Sequence, residues 1–311
     1  CDWSSDVCSS DLKTLIVLGG PTAAGKTALA IKIAQQLDCD IISADSRQFY
    51  RELNIGTAKP SSEELSAIQH HFIDSISIHD TYDVNRFELD TLSFLNDYFR
   101  QKNVIVITGG SGLYLDAILK GLDPLPERNE LIRKDLEYEW KNYGIEHLQN
   151  KIREMDPVTA STIDIMNPSR LIRAIEICIV TGQPASSFRT GKATNRPFGS
   201  MLIAITPERN KLYDRINSRV DQMMAAGLLN EVKQLLAHRN LQALQTVGYT
   251  ELFEYLDGKH TLETAIDLIK QHTRNYAKRQ LTWFRNRNEY KWFDPAETTE
   301  IFDYIKSGLV K

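Results

Sequence analysis

The stretch Gly20-Pro21-Thr22-Ala23-Ala24-Gly25-Lys26-Thr27 decides the fold. Glycine, four residues, then Gly-Lys-Thr is the P-loop spacing. The apolar run Leu15-Ile16-Val17-Leu18 precedes it, and Leu29, Ile33 and Leu37 follow at helical spacing, so the motif stands between a strand and a helix as it should. Each residue type has a task. Glycines let the backbone curl until several N–H groups face one anion, and the start of the next helix adds positive partial charge. Lys26 supplies a full charge, and the Thr27 hydroxyl can ligate Mg²⁺, which makes Thr27 the metal-ligand candidate and Mg²⁺ the expected cofactor. Gly20 to Thr27 is thus a phosphate cradle, and the motif leaves open which phosphate compound it takes.

Working outward, Asp40 to Ser43, His71 to Ile78 and Val104 to Ile107 read as strands and Phe87 to Gln101 as a helix. Strands alternating with helices imply a parallel α/β sheet. From Tyr114 to about Thr194 strand signals are few and Pro124, Pro126, Pro157, Pro168 and Pro184 punctuate the chain. Met201 to Ile205 then supplies another buried strand, followed by long helices to about Arg287. The expected fold class is α/β, a P-loop NTPase-like parallel sheet core with an inserted helical subdomain. The core spans 13–119 and 198–311 and the insertion 120–197. Residues 1–12 are rich in Ser, Asp and Cys, with neither a basic residue nor an apolar core. They fail as a signal peptide and read as a non-native or disordered leader.

The 311 residues carry a net charge of −4, so no overall positive field advertises nucleic-acid binding, and any such binding must come from local basic patches. The apolar runs are strand-sized, too short to span a membrane, so no membrane partner is expected. Cys39 and Cys178 sit in apolar stretches and read as reduced, buried thiols of a cytoplasmic protein. His70 and His71 are adjacent, which does not suit one helical face, and read as structural.

A P-loop NTPase usually ends a later apolar strand on an Asp that helps hold Mg²⁺. Here Val104 to Ile107 runs into Thr108-Gly109-Gly110-Ser111-Gly112, with no carboxylate. The strand after the P-loop helix instead ends in Ala44-Asp45, which puts Asp45 at the carboxyl edge of the sheet, where such folds bind ligands. It can ligate metal through water, act on a substrate proton, or simply cap the next segment.

Seven blocks, in this order, resemble the tRNA dimethylallyltransferase family: Gly20 to Thr27, Asp45 to Tyr50, Ile55 to Pro60, Gly109 to Tyr114, Ser169 to Glu176, Gln245 to Tyr249 and Arg274 to Arg285. The resemblance runs from Lys13 to about Arg287. It implies that the P-loop, Gly20, Pro21, Thr22, Ala23, Ala24, Gly25, Lys26 and Thr27, holds the diphosphate of dimethylallyl diphosphate rather than ATP. The acceptor it implies is the exocyclic amine of the adenosine 3′ of the anticodon, in tRNAs reading codons that start with U. It makes Asp45 the general base, and Lys26, Thr27 and Arg219 its catalytic companions, with Arg219 on the diphosphate; read alone, Arg219 is a solvated helix-face residue. Ser111 contacts the acceptor nucleotide, or else is a turn serine. The tRNA-binding set it implies is Asp45, Ser46, Arg47, Gln48, Ser111, Arg133, Ser169, Arg170, Leu171, Ile172, Arg173, Gln245, Thr246, Val247, Gly248, Tyr249, Thr250, Arg274, Lys278 and Arg285. The partners are the tRNA anticodon stem-loop and the prenyl donor, with the chain acting as a monomer. Arg274, Lys278 and Arg285 fall within about 40° of one another on a helix, a basic face suited to phosphates or to solvent. Two rival readings are a small-metabolite kinase and a catalytically silent RNA-binding protein.

Overall fold

The computed structural model describes residues 12–189, 191 and 194–309, so the leader expected over 1–12 lies, but for Leu12, outside the described residues. The elements in chain order are β1 (Thr14–Gly19), α1 (Lys26–Leu37), β2 (Ile41–Ser43), α2 (Ser62–Ala67), β3 (His70–His71), α3 (Val84–Tyr98), β4 (Val104–Gly109) and α4 (Gly112–Lys120). There follow α5 (Glu130–Met155), α6 (Pro157–Thr162) and α7 (Pro168–Thr181), then β5 (Gly199–Ile205), α8 (Arg209–Ala225), α9 (Leu228–Gln234), α10 (Tyr249–Leu256), α11 (Leu262–Arg285), β6 (Lys291–Phe293) and α12 (Thr298–Leu309). By density of contacts the chain divides into two units, one running to Leu119 and resuming at Arg196, the other Lys120–Asn195.

The first unit is built on a sheet in the order β3-β2-β4-β1-β5-β6, every pairing parallel. All six residues of β1 are buried, because helices cover both faces; that is why its sequence is a continuous apolar run and not an alternation. Ile16 and Leu18 face α1 through Leu29 and Ile33, and α12 through Ile301 and Ile305. Leu15 and Val17 face the opposite way, onto Phe87 and Leu95 of α3, Leu115 and Ile118 of α4, and Phe284 of α11. Each such side chain removed from water contributes about 1.5–3 kcal/mol. A further core joins α8 to α11 through Val220, Leu228, Val232, Leu252, Phe253 and Ile269. The α/β sheet core that the sequence implied is therefore present.

One reading is corrected. His71 to Ile78 is not a strand: β3 is two residues long, Phe72 and Asp74 turn the backbone left-handed at φ 62° and 53°, and only a single bridge, Tyr50 to Ile76, follows. Past Arg287, β6 pairs with β5 and α12 supplies core residues.

The second unit has its own core, in which Leu136, Leu148 and Ile152 of α5 pack with Leu171, Ile172 and Ile175 of α7. Asn129 caps α5 by accepting from the N–H of Leu131 and Ile132, and Pro168 opens α7 after the Asn167 cap. At Gly144 (φ 81°, ψ 177°) α5 kinks, so it is two helical pieces. Among the described residues of this unit there is no strand.

Candidate active site

β1, β2 and β4 lie side by side in the middle of the sheet, so the segments leaving their carboxyl ends meet. These are the P-loop, the Asp45 turn and the Gly109-Gly110 turn. The P-loop backbone is left-handed at three places, with Gly20 at φ 143°, Ala23 at 61° and Gly25 at 97°, the curled conformation such a loop needs. Gly20 has no alternative: a Cβ there would come within 2.3 Å of the Ile205 carbonyl oxygen. Lys26 folds back over the loop, and its Nζ donates to the Pro21 carbonyl at 2.7 Å.

Two cavities open here, both lined only by residues of the first unit. One, of about 240 Å³, is polar and includes Lys26, Thr27, Ser43, Gln48, Gly109, Gly110 and Gln280. The other, of about 250 Å³, is largely apolar, with Ile216, Val220, Met223, Val247 and Ile269 among its walls. They share Thr22, Asp45, Thr57, Ala58, Arg219 and Tyr276. A phosphate-sized polar chamber and a hydrocarbon-sized one thus meet at one carboxylate and one guanidinium.

The charges at that junction are coupled. Burial lowers the Lys26 amine to about 8; the Asp45 carboxylate pulls it back up and Arg219 pushes it further down. Burial likewise lowers Arg219, opposed by Asp45 and then by Glu64. The hydroxyl end of Tyr276 is raised to about 12, by burial first and by Asp45 second, with a hydrogen bond to Ser111 acting against both. Two cations, Lys26 and Arg219, thus share the wall of the polar cavity with the carboxylates of Asp45 and Glu64, and an anion entering there meets both cations.

Around the cavities, several polar residues hold walls in place. Asp45 Oδ1 accepts from the Arg47 N–H at 3.0 Å, closing a tight turn. Gln48 accepts from the Ser43 hydroxyl and donates to the carbonyls of Thr57 and Ala58, which ties the 55–58 turn to β2. Glu231 of α9 accepts from the N–H groups of Asn54, Ile55 and Gly56 and from the Tyr249 hydroxyl. Lys59 bonds the Tyr50 carbonyl and Asp74. Gln280 of α11 joins the P-loop to the β4 turn. Of these, Glu231 lies outside the motif blocks, and Lys59 and Gln280 lie inside two of them without a role of their own; local spacing does not mark Gln280 or Glu231, whose partners are up to 258 positions away.

The expected tRNA-binding set divides. Ser46, Arg47, Thr246, Val247 and Gly248 line the apolar cavity, and Ser111 bonds Tyr276 at its edge. Gln245 is exposed, its amide bonded to the Arg239 carbonyl, and Thr250 bonds back to Thr246. Arg47 spends its guanidinium on the carbonyls of Gln242 and Ala243. The side chains of Tyr249, Leu171 and Ile172 are buried in cores, so any contact these positions make with a ligand would be through the backbone. In the second unit, Arg133 and Arg173 both reach the fully buried Glu176, at 3.2 and 3.0 Å, while Ser169 and Arg170 remain exposed. On α11, Lys278 and Arg285 are exposed and Arg274 bonds Asn217 at 2.6 Å.

The IPP transferase family model matches residues 48–287. The chain belongs to the IPP transferase family. A tRNA dimethylallyltransferase from Christiangramia forsetii is 51% identical over 296 residues, which are 95% of this chain and 98% of that one. The solved tRNA isopentenylpyrophosphate transferase of Bacillus halodurans aligns with TM-score 0.71 and 38% identity, over 96% of this chain and 97% of that one. A eukaryotic dimethylallyltransferase, solved in snapshots acting on tRNA, aligns with TM-score 0.75 and 25% identity, over 91% and 74%. The resemblance drawn from the seven motif blocks is thereby shown, and the IPP transferase members share the α/β architecture described above.

Proposed function

We propose that this IPP transferase family chain moves a dimethylallyl group from dimethylallyl diphosphate to the exocyclic amine of a tRNA adenosine, releasing diphosphate. The adenosine is the one 3′-adjacent to the anticodon, in tRNAs reading codons that start with U. The observation that carries the reading is the pair of cavities meeting at Asp45 and Arg219: a phosphate chamber alone would serve a kinase, but an apolar chamber opening onto the same carboxylate suits a hydrocarbon carried on a diphosphate.

The diphosphate takes the polar chamber, gripped by P-loop amides, Lys26 and Arg219. An adenine amine is a weak nucleophile because its lone pair is delocalised into the ring, so it must be held at the allylic carbon and relieved of its proton. Asp45, at the junction, is placed to accept that proton. Lys26 and Arg219 offset the charge that grows on the leaving diphosphate. To reach the junction the adenine must leave the stack of its loop.

Mg²⁺ fits the donors present, the Thr27 hydroxyl and the Asp45 carboxylate, both hard oxygens on the polar cavity. Among the described residues no three His, Cys, Asp or Glu side chains converge, so the ion would take its remaining ligands from diphosphate and water. When bound, it would neutralise part of the diphosphate charge. Both cavities are lined by one chain, so the reading needs no second copy, and it places the protein in the cytoplasm with its tRNA. Among the described residues no helix is long and apolar enough to cross a membrane.

The test is incubation with dimethylallyl diphosphate and unmodified tRNA, followed by nucleoside mass analysis. One dimethylallyl unit gained on a single adenosine is the expected result; no mass change, with ATP stabilising the protein better than the prenyl donor, favours the kinase reading.

A further inference from the structure

Gln280, in the last two turns of α11, is buried at 6% exposure, and both ends of its amide are engaged. Oε1 accepts the Thr22 N–H at 2.8 Å; Nε2 donates to the Gly110 carbonyl at 2.9 Å. The packing is close enough that a Cβ on residue 110 would stand 2.1 Å from Nε2, so glycine there admits the amide. Thr22 lines both cavities, and Gly110 and Gln280 line the polar one. One side chain therefore ties the loop leaving β1 to the turn leaving β4.

A P-loop holds phosphate through its amides, so where each N–H is spent matters. Here the Thr22 N–H is spent on Gln280 and is withdrawn from the anion. We propose that Gln280 is a positioning residue of the donor site: it parks the Thr22 amide, pins the loop against the β4 turn, and leaves the later amides and Lys26 fixed toward the chamber. The proposal rests on the diphosphate reading of the P-loop. Its physical content is preorganisation, since a loop held before the ligand arrives does not have to be ordered by it. The choice of residue follows. A neutral amide offers both an acceptor and a donor at this spacing; an ionised carboxylate has no donor for the Gly110 carbonyl, and a thioether has no donor and only a weak acceptor.

The test uses the full chain and inorganic diphosphate as probe, measured by calorimetry, with tRNA affinity and thermal melting alongside. Gln280→Met should weaken diphosphate binding by about tenfold, the usual consequence of losing two hydrogen bonds, one of them to a buried carbonyl, while tRNA affinity holds. Gln280→Glu should be similarly weak when its new carboxyl is ionised. It should recover as the pH is lowered, because the protonated acid can again donate to Gly110 and accept from Thr22. Since loss of a negative charge beside the diphosphate also aids recovery, the role is read from the Thr22 amide, which should return to its parent hydrogen-exchange protection at the same low pH, whereas a merely space-filling role would leave that amide unmoved throughout. In the unaltered protein, the Thr22 amide should resist hydrogen exchange and move little in an NMR titration with diphosphate, while the amides of Gly25 and Lys26 shift. That measurement decides the matter even where the variants do not fold. Variants that bind diphosphate like the parent at every pH, or a Thr22 amide that shifts with its neighbours, overturn the role of Gln280. Failure of the unaltered chain to bind diphosphate would instead overturn the donor reading, and this role with it.

Discussion

The Tyr249 hydroxyl donates to Glu231 Oε1 at 2.6 Å, and the same carboxylate accepts three consecutive backbone N–H groups, those of Asn54, Ile55 and Gly56. Two helices and the turn that carries Thr57 and Ala58 into both cavities are thus gathered on one side chain. A Cβ at Gly56 would stand 2.5 Å from the Tyr249 ring, so ring and turn are in direct contact as well. Tyr249→Phe removes one hydrogen bond to a charged acceptor and should cost about 1–2 kcal/mol. Glu231→Ala strands three amides and the hydroxyl at once and should cost about 2–3 kcal/mol or more. Urea midpoints at unchanged slope measure both. Equal, small losses would mean that water replaces the carboxylate without penalty.

The same cluster shows where a sequence stops being readable. Gln245 to Tyr249 stands out as a motif, and from the motif alone Tyr249 belongs with the tRNA contacts; only the fold shows that its ring faces inward, toward a glutamate 18 positions away. The P-loop was legible because strand, turn and helix are contiguous, so local spacing carries the whole arrangement. Asp45 was legible because it ends the strand after the P-loop helix. The joining roles of Glu231 and Gln280 were not, because their partners are distant in sequence and ordinary in type. Burial explains Leu171 and Ile172 in the same way: they sit beside the exposed Arg170 in one motif, but a helix turns neighbouring side chains to different faces. The strand expected over His71 to Ile78 failed because apolar alternation does not reveal the left-handed backbone at Phe72 and Asp74.

The lowered Lys26 value gives a pH dependence with a definite sign. In the unfolded chain the amine titrates near the usual lysine value of about 10.4; in the folded chain burial brings it to about 8. Between those values the unfolded state binds more protons, so this group makes stability rise with pH across that window. Donor binding runs the other way. The diphosphate needs the charged amine, so affinity for it should fall as pH rises through about 8, and binding near that pH should take up a proton. Calorimetry in buffers of different ionisation enthalpy measures the uptake. No proton uptake would mean that Lys26 is fully charged before the ligand arrives.

On α11, Lys278 and Arg285 are exposed, whereas Arg287, just beyond the helix, is bound to Asp116 at 3.2 Å and lies over the Trp283 ring, 3.3 Å from its centroid. Charge reversal at Lys278 and Arg285 should weaken tRNA binding and flatten its dependence on salt, while diphosphate binding holds. Arg287→Glu should instead lower stability, by placing two carboxylates together in a half-buried site. Filter binding across several salt concentrations, with thermal melting in parallel, separates the two. Unchanged tRNA affinity in the double reversal would make that face merely solvated.

Asp45 is the residue on which chemistry and binding should separate. It borders both cavities, its Oδ1 holds the Arg47 amide, and its charge reaches Lys26, Arg219 and Tyr276. If it accepts the amine proton, Asp45→Ala should lower kcat by about 10²–10⁴, the usual range for a positioned base. Two effects on the donor then oppose each other. Removing the carboxylate lowers Lys26 further, since Asp45 is what raises it, but it also removes a negative charge that repels the diphosphate. At a pH well below 8, where Lys26 stays charged, the donor should therefore bind at least as well as to the parent. Asp45→Asn keeps the turn to Arg47 while abolishing the base, and should share the kinetic defect. If Asp45 chiefly holds Mg²⁺, its loss would raise the Mg²⁺ requirement and weaken the donor. Single-turnover transfer at saturating Mg²⁺ and donor decides between them: near-normal rates for both variants would remove Asp45 from the proton transfer and leave it a metal or structural role.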